Sequence, residues 1–186
     1  MSEIIQDRGV KPISERLSGL RIAFGSCGGI GCVENIKNIR ELRRHGAEVF
    51  PFVTPSVSEF ISPMTLEWAS GHSVISHQGA EVAYLEAFDA VVVAPMTLNS
   101  LVKAGLGLSD NAVLLLIAAQ LGAKRPLLIV PTMNESLWGH PAREKSVSQL
   151  KQWGATVFAQ GLEEGRLKMP APAALAEKLI EIVKVS

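Results

Sequence analysis

Cysteine is nearly absent: Cys27 and Cys32 are the only two in 186 residues, so no disulfide framework staples this chain and an apolar core must hold it. Two cysteines and four scattered histidines also fall short of a four-ligand zinc set, and no metal is expected. An excess of either charge is missing too. With 18 basic and 18 acidic residues and no long run of one sign, the electrostatic footprint of a nucleic-acid binder is not there. No apolar stretch reaches the roughly 18–20 residues of a membrane span. Residues 1–8 carry acids where a signal peptide places a basic and then an apolar block. The expectation is a cytoplasmic protein that binds neither nucleic acid nor membrane.

Two nucleotide signatures are also missing. No G-x-G-x-x-G occurs, and no carboxylate ends the second apolar run, where Phe52-Val53-Thr54 stands, so the dinucleotide fingerprint is excluded. No Lys-Ser or Lys-Thr follows the glycine-rich loop, which excludes a Walker loop.

What is present is a 47% hydrophobic chain of single-domain length, patterned as alternating apolar runs and helix-period segments. Strands are expected over 20–24, 48–53, 90–94, 126–130 and 155–159. Helices are expected over 30–44, near 56–60, around 81–87, and over 97–105, 110–121, 141–153 and 171–185; residues 62–79 read as looser. Repeated βα units predict a single α/β domain, a Rossmann-like (flavodoxin-like) parallel sheet with helices on both faces. Residues 1–18 read as an N-terminal arm and 19–186 as the domain.

Three loops follow strands in this pattern. Gly25-Ser-Cys-Gly-Gly-Ile-Gly-Cys32 joins a strand to a helix, where small residues let backbone amides approach a phosphate. Backed by Ser26 and Thr54, it suits a mononucleotide with one terminal phosphate, such as FMN, better than NAD or ATP. Ala94-Pro95-Met-Thr97-Leu-Asn99-Ser100 and Pro131-Thr-Met133-Asn134-Glu-Ser-Leu-Trp138 each turn polar directly after a buried run. Loops leaving the same sheet edge converge on a ligand. Asn99 and Asn134 also suit helix caps, and both roles can hold together. Cys27 and Cys32 are candidates for a redox pair or for small residues packed under the phosphate, with packing favoured. Glu163 and Glu164 read as a solvated loop. Arg166, Lys168 and Lys124 are candidate anion binders or ordinary surface cations.

In order and spacing these segments resemble the homo-oligomeric flavin-containing cysteine decarboxylases, over roughly residues 20–170. Thr54-Pro-Ser-Val-Ser-Glu-Phe60-Ile is similar to the family's T-x-x-A-x-x-F-I, with Val57 for Ala, and Ala94 to Ser100 is similar to A-P-A-T-A-N-T. Lys103, Gly107 and Asp110 fall where the family has K, G and D. The resemblance implies FMN held by Gly25, Ser26, Thr54 and Ser56 at its phosphate and by Pro95, Thr97, Asn99 and Ser100 at its ring. It also implies a substrate clamp of Pro131, Met133, Asn134 and Trp138, with Asn134 on the carboxylate of a small-molecule or peptide substrate. Self-association as a trimer or a multiple of trimers, with the flavin at a subunit boundary, is implied as well.

Departures from the pattern narrow the expected chemistry. The frame of the family's catalytic histidine falls on Glu81, with His77 four residues upstream as the other candidate base. The family's flap cysteine has no counterpart between Phe158 and Met169. Oxidative decarboxylation of a cysteine-like carboxylate is the expected activity. FMN-dependent electron transfer or reduction, as in the related pterin reductases, is the alternative. A flavin prenyltransferase and a non-enzymatic flavin binder stand behind these.

Overall fold

The computed structural model describes residues 7, 9–77 and 88–184. Five parallel strands form one sheet in the order β2-β1-β3-β4-β6: β1 (Arg21–Ser26), β2 (Glu48–Val53), β3 (Ala90–Met96), β4 (Leu127–Pro131) and β6 (Thr156–Val157). The central strand β3, AVVVAPM, is buried throughout, as a parallel strand covered on both faces must be. Its alternate residues feed two cores. Ala90, Val92 and Ala94 join Phe24, Leu42, Leu66 and Leu179 on one face. Val91, Val93 and Met96 join Leu101, Leu114, Ile117 and Leu150 on the other.

The first face is covered by α1 (Asn35–Arg44), α2 (Pro63–Ser70) and α7 (Pro172–Lys184), the second by α3 (Leu98–Gly105), α4 (Ala112–Gly122) and α6 (Pro141–Gln152). Helix α4, AVLLLIAAQLG, is apolar nearly all round because it packs across four strands of the sheet. Helix α1 stops at Gly46, whose φ of 93° and close approach to the Ser18 backbone both call for glycine. No helix among the described residues is long and apolar enough to cross a membrane.

The observed elements depart from the expected ones at four places. The helix expected from Ile30 opens as a 3-10 turn, Ile30–Glu34, and becomes α only at Asn35. Residues 62–79 contain α2, started by Pro63 after extended Ser62 and ended by left-handed Gly71, with only Leu66, Ala69 and Ser70 buried. The last strand is two residues long and pairs with β4 at one edge of the sheet. A separate antiparallel sheet, β5 (Met133–Asn134), β8 (Arg166–Leu167) and β7 (Leu162–Glu163), was not expected; strands of two residues carry no alternation to read. The helix expected around 81–87 lies outside the described residues.

Residues 9–20 run over the C-terminal end of α1. Ile13 N–H donates to the Arg44 carbonyl at 2.8 Å and Leu17 N–H to the His45 carbonyl at 2.9 Å. Asp7 is tied down as well, its carboxylate 2.6 Å from Arg40 and its N–H 2.9 Å from the Trp68 carbonyl. Leu17 is fully buried in the α1 core. Leu17→Ala should therefore lower stability by about 2–5 kcal/mol in urea unfolding. A loss below about 1 kcal/mol would show that this segment is not packed as described.

Candidate functional site

Strands β1, β3 and β4 end at the same edge, and their loops enclose a cleft of about 710 Å³ together with the small antiparallel sheet. That is within the roughly 300–1,000 Å³ of ordinary small-molecule sites. One wall is the loop after β1. Ser26 is fully buried there, and its Oγ accepts from Asn35 Nδ2 at 2.7 Å; the same amide nitrogen donates to the Ala94 carbonyl at 2.8 Å. Gly25 is still inside the strand, where a Cβ would meet Val113 at 3.0 Å and Val93 at 3.3 Å. Gly25 and Ser26 therefore build the floor beneath the loop, and Gly28, Gly29 and Gly31 line the cleft itself.

Gly28 is held where no side chain fits. Its N–H donates to Thr54 Oγ1 at 3.1 Å, Thr54 Oγ1 lies 3.3 Å from Ser56 Oγ, and a Cβ on Gly28 would lie 2.2 Å from that oxygen and 2.8 Å from the Ser56 carbonyl carbon. A Cβ on Gly31 would lie 3.1 Å from Met169 Cγ. The loop thus presents bare backbone to the cleft as the chain enters a helical turn, where amide N–H groups point outward without intrahelical acceptors.

The next wall comes from β3. Pro95 is buried, and its carbonyl accepts from Cys27 N–H at 3.1 Å. Thr97 caps α3, accepting from Ser100 N–H at 3.4 Å, and lines the cleft with Leu98. Ser100 is buried beside Thr97, whereas Asn99 is exposed and outside the cleft wall. Lys103 and Asp110, 2.5 Å apart, brace the α3–α4 turn around left-handed Gly107 (φ 76°). Lys103 holds the Asp110 carboxyl below its usual range. This assigns the K, G and D of the sequence pattern to loop architecture.

Cys27 lies beneath that helix start, its Sγ 3.8 Å from Met96 Sδ. Burial pushes its thiol up to about 11, against the smaller pull of the Ser100 hydroxyl, so it stays protonated at neutral pH. Burial also raises Cys32. The two sulfurs belong to the cores on opposite faces of the sheet, as packed residues rather than a redox pair.

The third wall follows β4. Pro131 is buried in the strand, and Thr132, Met133, Asn134 and Leu137 line the cleft. Asn134 caps the short helix α5 (Glu135–Trp138), its Oδ1 accepting from Leu137 N–H at 2.9 Å. This bond uses the amide oxygen and leaves Nδ2, a pure donor, for a ligand. Trp138 is set back under Arg143, whose guanidinium lies 4.5 Å from the ring centre. Arg166, Lys168 and Met169 close the cleft from the flap that contains β7 and β8.

Of the two candidate bases only His77 belongs to the described residues, and it is not on these walls. His77 is exposed, two residues past Ile75, which bridges Phe52 on the outer side of β2. Glu81 lies outside the described residues. No group of three or more potential metal ligands occurs among the described residues.

The residues least visible in the sequence are Asn35, Thr132, Leu137 and Met169. Thr132, Leu137 and Met169 belong to segments with a recognisable pattern, and Asn35 does not. A bare-backbone loop, a capped helix start and an amide donor around one cleft fit a phosphate-bearing ligand with a flat apolar body. The chain is similar to several known proteins. It is 29% identical over 174 residues to the coenzyme A biosynthesis bifunctional protein CoaBC of Thermococcus kodakarensis, covering 90% of this chain and 43% of that protein. The chain thus spans about two fifths of the length of such curated relatives. Among solved structures, the FMN-dependent cysteine decarboxylase SpaF matches with a TM-score of 0.76 at 25% identity, covering 89% of this chain and 98% of SpaF. A mutant PPC decarboxylase complexed with pantothenoylaminoethenethiol shares the fold, with a TM-score of 0.76 at 22% identity, covering 95% of this chain and all of that one. The Flavoprotein family model matches residues 10–184, nearly the whole length, and the chain belongs to that family.

Proposed function

We propose that this chain is an FMN-dependent decarboxylase of a cysteine-like carboxylate. The observation that carries the reading is the convergence, in one cleft, of the backbone of Gly28, Gly29 and Gly31 and the amide of Asn134. The loop amides, with Thr54 and Ser56 fixing the loop from behind, would hold the FMN phosphate. Thr97 and Leu98 would face the ring, and the apolar side chains of Met133, Leu137 and Met169 would exclude water from it. Bound FMN supplies the two-electron acceptor needed to oxidise the substrate thiol before the carboxylate leaves as carbon dioxide.

Asn134 suits that departure because it is neutral. Nδ2 orients a carboxylate by hydrogen bonding without fixing a full charge against it, and the negative charge must move away from the carboxylate as carbon dioxide forms. A thiol base is then needed. Glu81 is the candidate by frame. Phe60 (42% exposed), Met64 (64%) and Trp68 (36%) form an apolar surface that favours self-association, as a trimer or a multiple of it. The absence of a free acid or base on the described cleft walls favours a second reading, electron transfer through bound FMN. Glu34, the one carboxylate there, is 3.0 Å from Lys37.

Gly28→Ala drives a methyl group into the Ser56 backbone and should strip most FMN from the purified protein, read by absorbance after denaturation. Full occupancy would move the phosphate away from this loop. Asn134→Ala should keep FMN yet slow carbon dioxide release from a cysteine-terminated peptide at least about tenfold. Glu81→Gln should lower the same rate at least about tenfold while His77→Asn leaves it nearly unchanged. If neither acid-base change matters and NADH-driven reduction of an acceptor persists, the electron-transfer reading replaces decarboxylation.

A further inference from the structure

Strands β4 and β6 begin at the edge of the sheet opposite the cleft. A second cavity, of about 580 Å³, lies there against the C-terminal ends of α4 and α6 and the side of α7. Its volume is again that of a small-molecule site, roughly 300–1,000 Å³. Lys124, Arg125 and Lys178 line it. The carboxylate among the described lining residues, Glu181, is 2.7 Å from Lys178, so the cavity wall carries net positive charge. Arg125 is anchored in that wall, its Nη1 donating to the Phe88 carbonyl at 3.3 Å.

Backbone geometry singles out Lys124. Helices α1, α4 and α6 all end in one kind of turn, in which a left-handed residue donates to the carbonyl three back and the next residue to the carbonyl five back. The left-handed residue is Gly46 (φ 93°) after α1, Gly154 (φ 104°) after α6 and Lys124 (φ 54°) after α4. A lysine adopts that conformation less readily than glycine. Attraction to the helix end does not require it there, because α1 and α6 carry their cations inside the last turn, as Arg43, Arg44 and Lys151, and keep glycine in the turn. A lysine held against backbone preference on a cavity wall points to a role for its side chain.

The cationic cavity continues into an apolar groove. Leu121 and Trp153 line both it and an adjoining space of about 230 Å³, walled also by Ala104, Leu108, Leu114 and Ile117. Trp153 and Leu108 are large apolar side chains left 42% and 48% exposed. Three cations thus stand at one end of a trough whose other end is apolar, and the matching ligand is divided in the same way. We infer that this far edge of the sheet carries a second ligand site, for a small free amphiphile whose carboxylate or phosphate head meets Lys124, Arg125 and Lys178 and whose apolar tail lies in the groove between α3, α4 and Trp153. The site is separate from the cleft and does not depend on the reaction there.

Calorimetric titration of the FMN-loaded protein with octyl phosphate tests it, against octanol, which lacks the charge, and ethyl phosphate, which lacks the tail. Octyl phosphate should bind at least about tenfold tighter than either, and its advantage over octanol should shrink in high salt. Lys124→Gly suits the turn, so it should leave the urea midpoint unchanged or raised while weakening octyl phosphate at least about threefold. Leu108→Gln should weaken octyl phosphate and leave ethyl phosphate unaffected. Lys145→Gln, on the exposed side of α6, is the charge control and should change nothing. Equal binding of octyl phosphate and ethyl phosphate, no binding of octyl phosphate, or binding unaltered by Lys124→Gly overturns the site. Displacement of FMN by octyl phosphate would move its binding to the cleft and overturn the site too. Retention on phosphatidylglycerol vesicles without binding of free octyl phosphate would make this edge a membrane contact instead, and a change of sedimentation coefficient on titration would make it a contact between subunits; either result contradicts a site for a free amphiphile.

Discussion

Asn35 has no exposed surface, and its Nδ2 bridges Ser26 Oγ at 2.7 Å and the Ala94 carbonyl at 2.8 Å while its Oδ1 accepts from Asn38 at 3.2 Å. One amide at the start of α1 therefore joins the C-terminal ends of β1 and β3, the two strands whose loops form facing parts of the cleft. In a dry environment such bonds are strong, and leaving a partner unsatisfied is expensive, which gives the two loops one relative position. Backbone bonds extend the same stitch. Thr54 N–H reaches the Ser26 carbonyl at 3.0 Å, Cys27 N–H the Pro95 carbonyl at 3.1 Å, and Thr132 N–H the Met96 carbonyl at 3.1 Å. Four strand ends are tied together before any ligand contact is made.

What those ties deliver is a cleft whose polar character comes mainly from backbone and neutral side chains. Gly28, Gly29 and Gly31 expose main chain, Thr97 and Asn134 spend one oxygen each on helix caps, and Cys27 remains a buried thiol. Among the described residues, charge enters through Glu34 on one side and Arg166 and Lys168 on the other. A neutral floor under charged edges suits a reaction in which charge leaves a carboxylate.

The parallel sheet was legible because Ala90 to Ala94 and Leu127 to Val130 are unbroken apolar runs followed by proline, a pattern that reflects burial on both faces. The loops that follow were legible for the same reason, as the places where polarity returns. Individual roles were less so. Ser26 and Gly25 read as phosphate ligands, yet the partners that take them out of the cleft, Asn35 and Val113, are remote or silent in a local pattern. Trp138 was grouped with the clamp, but Arg143 covers its ring and Leu137 takes the cleft position. The pairing of Asn134 with Arg166 spans 32 residues and two-residue strands, too short to leave a periodic trace.

The central claim is that this cleft holds FMN by its phosphate. Titrating flavin-stripped protein with FMN and with riboflavin, which has the same ring and lacks the phosphate, tests it most directly. The account predicts FMN binding at least about tenfold tighter, the scale of a few charge-assisted hydrogen bonds from the Gly28–Gly31 loop. Equal affinity for the two flavins, or no binding of either, would contradict it.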